Sequence, residues 1–291
     1  AAARKLSRAE NETGSGDGHR RALGALRARI ALDNGQSEQA RALAERVDGE
    51  GEPLARALEV LALIDLSQGE SSRAREAAER ALSLGQQLDD RRIQARSLSL
   101  LASISLGGGD VHGAARLYSG AFELAEQQGE YHAAASFLVN LGGARLDAAE
   151  PGPALGALRE GARRLARIGR ESDMARALYN LGNAAALIGE DELALEAVEQ
   201  SRLTDAARRD RSLQAFARIV EAEVRLRRGE KRALSGLIDE LLPLGATCND
   251  RDRAVIGART ALLQLGIGDT DGAEQSLNSA LEAARSELPI E

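Results

Sequence analysis

The sequence is poor in aromatic residues. Tyr, Phe and Trp together make up 2% of the 291 residues, and Trp is absent. β-Branched residues are also sparse, which argues against a β-sheet because sheets favour branched and aromatic side chains. The hydrophobic 43% consists mainly of Ala and Leu. Both are strong helix formers, and Ala lets neighbouring backbones approach closely. This composition predicts closely packed helices.

Cysteine and long apolar runs are lacking as well. The single cysteine, Cys248, cannot form an intramolecular disulfide and excludes a multi-cysteine metal site. No apolar run approaches the roughly 20 residues that span a bilayer, and no signal-peptide pattern opens the chain. The net charge of −7 shows no bias toward nucleic acid or anionic membranes. We therefore expect a cytoplasmic protein that binds neither nucleic acid nor membrane.

Lysine is scarce, since 36 of the 38 basic residues are Arg. With abundant Ala and Gly, this bias favours a GC-rich bacterial source. The chain begins at Ala1 rather than at Met, which leads us to expect that it is part of a longer protein.

Groups that could converge for catalysis do not stand out. The histidines His19, His112 and His132 lack the i, i+4 spacing of a helical metal site. Cys248 lies in a polar segment with no histidine near it, and the phosphate-binding pattern GxxxxGK[ST] is absent. We expect no enzymatic activity, no metal and no cofactor.

A Gly followed by a polar or acidic residue recurs along the chain, at spacings of 34, 40, 40, 40, 40 and 39 residues. The glycines are Gly35, Gly69, Gly109, Gly189, Gly229 and Gly268, and Ala149 takes the place of Gly in the remaining copy. Seven residues before each turn lies Ala or Gly, and five residues after it lies Ala in six of the seven copies. Small residues at these places predict two antiparallel helices in close contact. The turn glycine would take a positive φ, and the acidic residue would begin the second helix.

One copy carries the pattern most fully, with Leu178, Leu181, Gly182, Gly189, Ala194 and Val198. This pattern resembles a tetratricopeptide repeat. The 40-residue period resembles the longer variants of kinesin light chains and of the sensor regions of bacterial signalling ATPases and kinases. The resemblance implies an all-α, right-handed superhelical solenoid of about seven helix-turn-helix repeats over residues 18–288. Residues 1–17 would be the end of a preceding helix followed by a flexible break.

The period also places the helices. The first helix of each pair is predicted near 20–34, 54–68, 91–108, 131–148, 171–188, 211–228 and 252–267. Pro243 falls late in the sixth second helix and is expected to end or kink it.

In tetratricopeptide proteins the first helices line a concave groove. Carried over to this chain, the resemblance makes the candidate partner-binding residues Arg96, Asn140, Arg176, Tyr179, Asn180, Asn183, Glu223 and Arg227. Other inward positions are Arg56, Glu59, Ser99, Ser103, Ser136, Phe216 and Arg259.

Two residue types in this set suit a peptide ligand. Asn140 and Asn180 occupy the same place in adjacent copies, and an amide both donates and accepts hydrogen bonds to a peptide backbone. Arg96 and Arg176 can hold a carboxylate. The alternative is that these asparagines cap or bridge neighbouring helices.

The resemblance therefore implies a non-enzymatic module that binds a peptide or protein segment in its groove, as the sensor or scaffold part of a larger bacterial signalling protein. Two alternatives stay open. One is a structural role through self-association, and the other is a small-molecule sensor that controls an attached ATPase or kinase.

Overall fold

The computed structural model describes residues 16–286. Within this range every regular element is an α-helix, and fifteen helices follow one another along the chain. They are α1 Asp17–Asp33, α2 Ser37–Ala44, α3 Glu52–Ser67, α4 Ser71–Gln87, α5 Arg91–Gly107, α6 Val111–Gln127, α7 Tyr131–Asp147, α8 Pro151–Ile168, α9 Glu171–Leu187, α10 Asp191–Leu203, α11 Asp205–Arg209, α12 Arg211–Arg227, α13 Lys231–Ala246, α14 Asp250–Ile267 and α15 Thr270–Ser286.

These helices are arranged in successive pairs, with the short α11 inserted between the fifth pair and the sixth. The first helices of the pairs are α1, α3, α5, α7, α9, α12 and α14. Their ends lie within three residues of the bounds predicted from the repeat. The predicted all-α class of tetratricopeptide-like helix pairs is therefore confirmed.

The turn within each pair contains a residue with positive φ at the predicted place. The six turn glycines have φ between 72° and 89°, and Ala149, which takes the place of Gly in the fourth pair, has φ 58°. A Cβ is strained in this region of backbone space, which explains why six of the seven turns use Gly. Among the seven turns within helix pairs, Ala149 is the residue that bears this strain.

The acidic residue after the turn caps the second helix only when it is Asp. The Asp110 carboxylate accepts a hydrogen bond from the Gly113 amide at 2.8 Å, and Asp269 accepts one from Gly272 at 3.0 Å. Glu190 and Glu230 make no such bond. The longer Glu side chain carries its carboxylate past the amides of the first turn, so only the attraction to the helix dipole remains.

Gly182 is a point of close approach between α9 and α10. A Cβ at this residue would lie 2.6 Å from Val198 Cγ1 and 3.1 Å from the Ala194 carbonyl oxygen. This confirms the predicted packing role of Gly182. In other pairs the same position is filled by alanines that are fully buried, namely Ala28, Ala62, Ala102 and Ala222.

The described chain divides into two compact units, with the boundary between Ala144 and Arg145. The first contains clusters of small and branched residues such as the one around Ala28, Val60 and Ile64. In the second, Ile219 and Leu234 belong to a cluster that joins α12, α13 and α14. Each cluster connects consecutive helices, as expected when every repeat packs mainly on its neighbours.

Pro243 does not end α13, which continues to Ala246. The proline ring removes the amide that would bond to the Asp239 carbonyl, one turn earlier. Both residues are exposed, so water can satisfy that carbonyl and the helix tolerates the proline. The part of the prediction that ended the helix at Pro243 is therefore wrong.

The segment before α12 contains a short additional helix, α11, that is not part of a helix pair. The Thr204 hydroxyl caps this short helix by accepting a hydrogen bond from the Ala207 amide at 3.0 Å. The end of a preceding helix and the break predicted for 1–17 lie almost wholly outside the described residues, and α1 begins at Asp17.

Two further observations concern residues 16–286. None of the helices there combines the length and the apolar character needed to cross a bilayer. No group of three or more His, Cys, Asp or Glu side chains in this range is placed to hold a metal ion.

Candidate functional site

The first helices of the first unit line a cavity of about 530 Å³, here called the first-unit cavity. Its walls come from α1, α3, α5 and α7. The polar wall includes Arg29, Arg56, Glu59, Arg96, Ser99 and Ser136. Five of these six, all except Arg29, are positions that the repeat pattern places on the inner face.

Glu59 is the most unusual residue of this cavity. It is 5% exposed, and none of the described residues gives its Oε1 atom a hydrogen bond. Its Oε2 atom lies 3.8 Å from Nη1 of Arg96. Burial raises the pKa of the Glu59 carboxyl to about 7, against the opposing effect of Arg96, Arg29 and Arg56. The carboxyl is thus close to half-protonated at neutral pH, and one of its oxygens is left for another partner.

The three arginines around Glu59 are only loosely engaged. About half of each side chain is exposed, at 51% for Arg29, 46% for Arg56 and 48% for Arg96. Arg29 pairs with Asp33 at 2.9 Å, and Arg56 pairs with Glu52. Exposed ion pairs contribute about 0–1 kcal/mol, so an anion entering the cavity can compete for these guanidinium groups.

Two other predicted positions of this unit lie apart from the charged cluster. Asn140 is exposed on α7. Ser103 is engaged within the fold, since its hydroxyl lies 2.8 Å from the Tyr118 hydroxyl and bridges α5 and α6. Burial raises the pKa of Tyr118, so this hydroxyl stays neutral and continues to serve as donor or acceptor.

In the second unit, one of the predicted residues of α9, Tyr179, belongs to an aromatic pair. The ring of Tyr179 lies 5.8 Å from that of Phe216 on α12, centroid to centroid, at an interplanar angle of 31°. Burial raises the pKa of Tyr179, and Arg259 opposes the rise. Arg176 is exposed on the same helix, while Asn180 and Asn183 are partly buried. These side chains provide stacking surface together with hydrogen-bonding groups.

The two predicted residues of α12 already have partners within the chain. Glu223 accepts hydrogen bonds from both Nε and Nη2 of Arg259 on α14, at 2.7–2.9 Å. Arg227 pairs with Asp191 at the start of α10. These contacts join neighbouring helix pairs, so Glu223 and Arg227 are less available to a ligand than Arg176 or Asn180.

The comparisons with known proteins can now be set beside this geometry. No protein-family model matches the chain. No curated protein matches it either. Solved structures do match it, and the three described below are distant from it in sequence.

Apo RapI superposes with a TM-score of 0.73 at 14% identity, covering 91% of this chain and 98% of RapI. The Rap conjugation gene regulator of plasmid pLS20, solved with the Phr* peptide, has a TM-score of 0.69 at 15% identity, over 94% of this chain and 77% of the regulator. A signal transduction ATPase from Pyrococcus horikoshii that has a tetratricopeptide repeat sensor gives a TM-score of 0.66 at 13% identity. That match covers 91% of this chain and 42% of the ATPase.

This chain has a tetratricopeptide-repeat-like fold. The likeness inferred from the spacing of the turn residues is thus confirmed at the level of the fold.

The tetratricopeptide-like register also accounts for the cavity residue that the inner-face assignment missed. Arg29 lies six residues before the turn residue Gly35, as Asn183 lies six residues before Gly189. The signal was present in the repeat. The first helix pair differs from the others in its short second helix, α2, which has only eight residues.

Proposed function

We propose that this chain is a non-enzymatic interaction module that binds a peptide or protein segment on the faces formed by its first helices. The observation that carries the proposal is the first-unit cavity, where residues from four successive first helices converge around one buried carboxyl. Its volume of about 530 Å³ falls within the range of roughly 300–1,000 Å³ typical of ligand pockets.

Two solved structures support a more specific role. The pLS20 regulator, solved with the Phr* peptide, is a protein of similar fold with a peptide bound. The archaeal ATPase carries a similar fold as a sensor. By analogy, we assign this chain to the sensor or scaffold part of a larger bacterial signalling protein in the cytoplasm.

The inner face of the second unit provides a second contact surface. Asn180 and Asn183 offer partly buried amide groups on the helix that carries Tyr179, and an amide can bond to both the N–H and the C=O of an extended peptide. Arg176 is exposed and can donate hydrogen bonds to a ligand carboxylate. In the first unit, Asn140 occupies the repeat position of Asn180.

The test begins with selection of binding peptides from a phage-displayed library of random heptapeptides on the immobilised chain. A selected peptide is synthesised, and its Kd is measured by isothermal titration calorimetry. The double variant Asn180→Ala, Asn183→Ala would remove four hydrogen bonds, two from each amide, of about 0.5–1.5 kcal/mol each. We expect its affinity to fall at least thirtyfold, with the helical circular dichroism signal unchanged.

The matched control is Asn278→Ala, an exposed asparagine on the second helix α15, which should leave the Kd unchanged. An unchanged Kd in the double variant would contradict the assignment of these asparagines to the binding face. Failure to select any peptide would count against peptide binding itself.

One observation favours self-association as a second candidate function. Leu277 on α15 is 47% exposed, whereas the residues at the same repeat position are buried. These are Tyr118, Leu158, Val198 and Ile238. If the protein self-associates through this surface, light scattering across a concentration series would show a dimer, and Leu277→Glu would convert it to a monomer. A monomer at every concentration would rule this candidate out.

A further inference from the structure

The first-unit cavity brings together charges of opposite sign in an unequal ratio. The guanidinium groups come from three consecutive helix pairs, with Arg29 on α1, Arg56 on α3 and Arg96 on α5. All three act electrostatically on the Glu59 carboxyl. The positive charges therefore outnumber the carboxyl on which they converge.

Other titratable groups also face this carboxyl. Asp90, which caps α5, acts on it with a negative charge. His132 on α7 and Glu130, just before that helix, line the same cavity. Glu130 pairs with Arg92 at 2.9 Å, so its carboxylate already has a cationic partner.

The unpaired Oε1 atom of Glu59 restricts what the cavity can take. A buried carboxyl oxygen without a hydrogen bond is costly, and a ligand that supplies the missing bond would be favoured. A cationic ligand would be repelled by three arginines. An anion suits the arginines, but it can approach Glu59 only if that carboxyl carries a proton.

We propose that the first-unit cavity recognises a carboxylate of its peptide ligand, which Arg29, Arg56 and Arg96 hold while protonated Glu59 donates its Oε1–H to it. The inference rests on the proposed function and names the ligand chemistry of this site. Either a peptide C-terminus or the side chain of an Asp or Glu can supply the carboxylate.

Binding of this kind takes up a proton. Because burial raises the pKa of Glu59 to about 7, the protonated fraction falls from roughly 90% at pH 6 to roughly 10% at pH 8. Only that fraction is competent to bind, and the apparent affinity scales with it. The Kd should therefore rise about tenfold between pH 6 and pH 8.

The first experiment identifies the carboxylate. Arrays of random octapeptides attached by their N-termini are probed with the purified chain in three matched forms. One form has a free C-terminus, one is C-terminally amidated, and one is amidated with every Asp and Glu replaced by Asn and Gln. We expect binding to the form without any carboxylate to be at least tenfold weaker.

Loss of binding on amidation alone assigns the site to a peptide C-terminus, and loss only in the third form assigns it to an acidic side chain. Equal binding to all three forms would overturn the inference while leaving peptide binding intact. Binding to none of them would contradict the proposed function itself.

The second experiment assigns the proton, using the best carboxylate peptide and measurements of Kd from pH 6 to pH 8. In Glu59→Gln the amide donates the same hydrogen bond at every pH, so the tenfold change should disappear and the affinity should stay near the wild-type value at pH 6. The control Glu79→Gln, at an exposed site on α4, should keep the change.

His132 lines the same cavity and needs its own variant. His132→Asn should retain the tenfold change if Glu59 is the proton donor. If the change persists in Glu59→Gln, or vanishes in His132→Asn, the assignment of the proton to Glu59 is wrong.

Discussion

Ala149 allows the repeat architecture to be tested at a single turn. It occupies the place that Gly holds in the other six helix pairs, and it has φ 58°. Its side chain is exposed, so replacing it changes the backbone preference without disturbing a core contact. The perturbation is Ala149→Gly, together with the reverse exchange Gly189→Ala in the next pair.

The expected magnitude follows from two opposing effects. The left-handed region costs an L-residue roughly 1–2 kcal/mol, and Gly removes that cost. Gly also gives the unfolded chain more conformational freedom, which reduces the gain in stability by about 0.4–1 kcal/mol. Ala149→Gly should therefore stabilise the protein by about 0.5–1 kcal/mol. Gly189→Ala should destabilise it by a similar amount, because a Cβ at Gly189 would meet no atom within 4 Å.

Differential scanning calorimetry measures the effect as a shift in Tm. For a chain of this size, about 1 kcal/mol corresponds to roughly 2–4 °C. The matched control is Ala148→Gly in the same turn, a residue whose φ is not positive. There the glycine brings only its entropic cost, so Tm should fall. If Ala148→Gly and Ala149→Gly shift Tm in the same direction, the strain assigned to Ala149 is refuted.

Two further predictions concern packing and titration. Gly182→Ala should destabilise the protein by about 1–3 kcal/mol in urea unfolding, because the new Cβ would lie 2.6 Å from Val198 Cγ1. Adding Val198→Ala to this variant should restore part of the lost stability. If it restores none, the predicted clash with Val198 is wrong. Glu59 has a pKa of about 7 in the folded chain against 4.5 as the ordinary value, so the folded state binds the proton more tightly. Its contribution to stability is therefore fully present below pH 4.5 and is lost as the pH rises through 7, by up to about 3 kcal/mol. Glu59→Gln should remove that loss, and a stability difference between variant and wild type that is constant from pH 4.5 to pH 8 would argue against a raised pKa.

Much of the fold was predictable because the repeat constrains local geometry. A helix must end where Gly takes a positive φ, and two helices can approach closely only where small residues such as Gly182 and Ala194 meet. These demands act on residues a few positions apart, so they are visible as spacing. Pro243 was expected to end or kink its helix, and whether a proline ends a helix depends on whether water reaches the freed carbonyl.

The side-chain partners were less predictable. The carboxylate of Glu223 meets the guanidinium of Arg259 across 36 positions of chain, and Arg227 meets Asp191 in the same way. Such contacts depend on the offset between neighbouring helix pairs, which varies with small differences in side-chain volume. The period predicts that these residues lie on neighbouring helices but does not predict which of them pair.

Some features of this protein are determined by the spacing of the repeat, and others depend on tertiary packing. The seven turns and the helix pairs follow from spacing, since each depends on backbone conformation and on the size of nearby side chains; the inner-face positions are a prediction from the resemblance to tetratricopeptide repeats. The chemical properties of Glu59 do not follow from spacing. Its raised pKa and its unpaired oxygen arise because burial removes water from a carboxyl that three helix pairs surround with arginines, and burial exists only once those pairs have packed together.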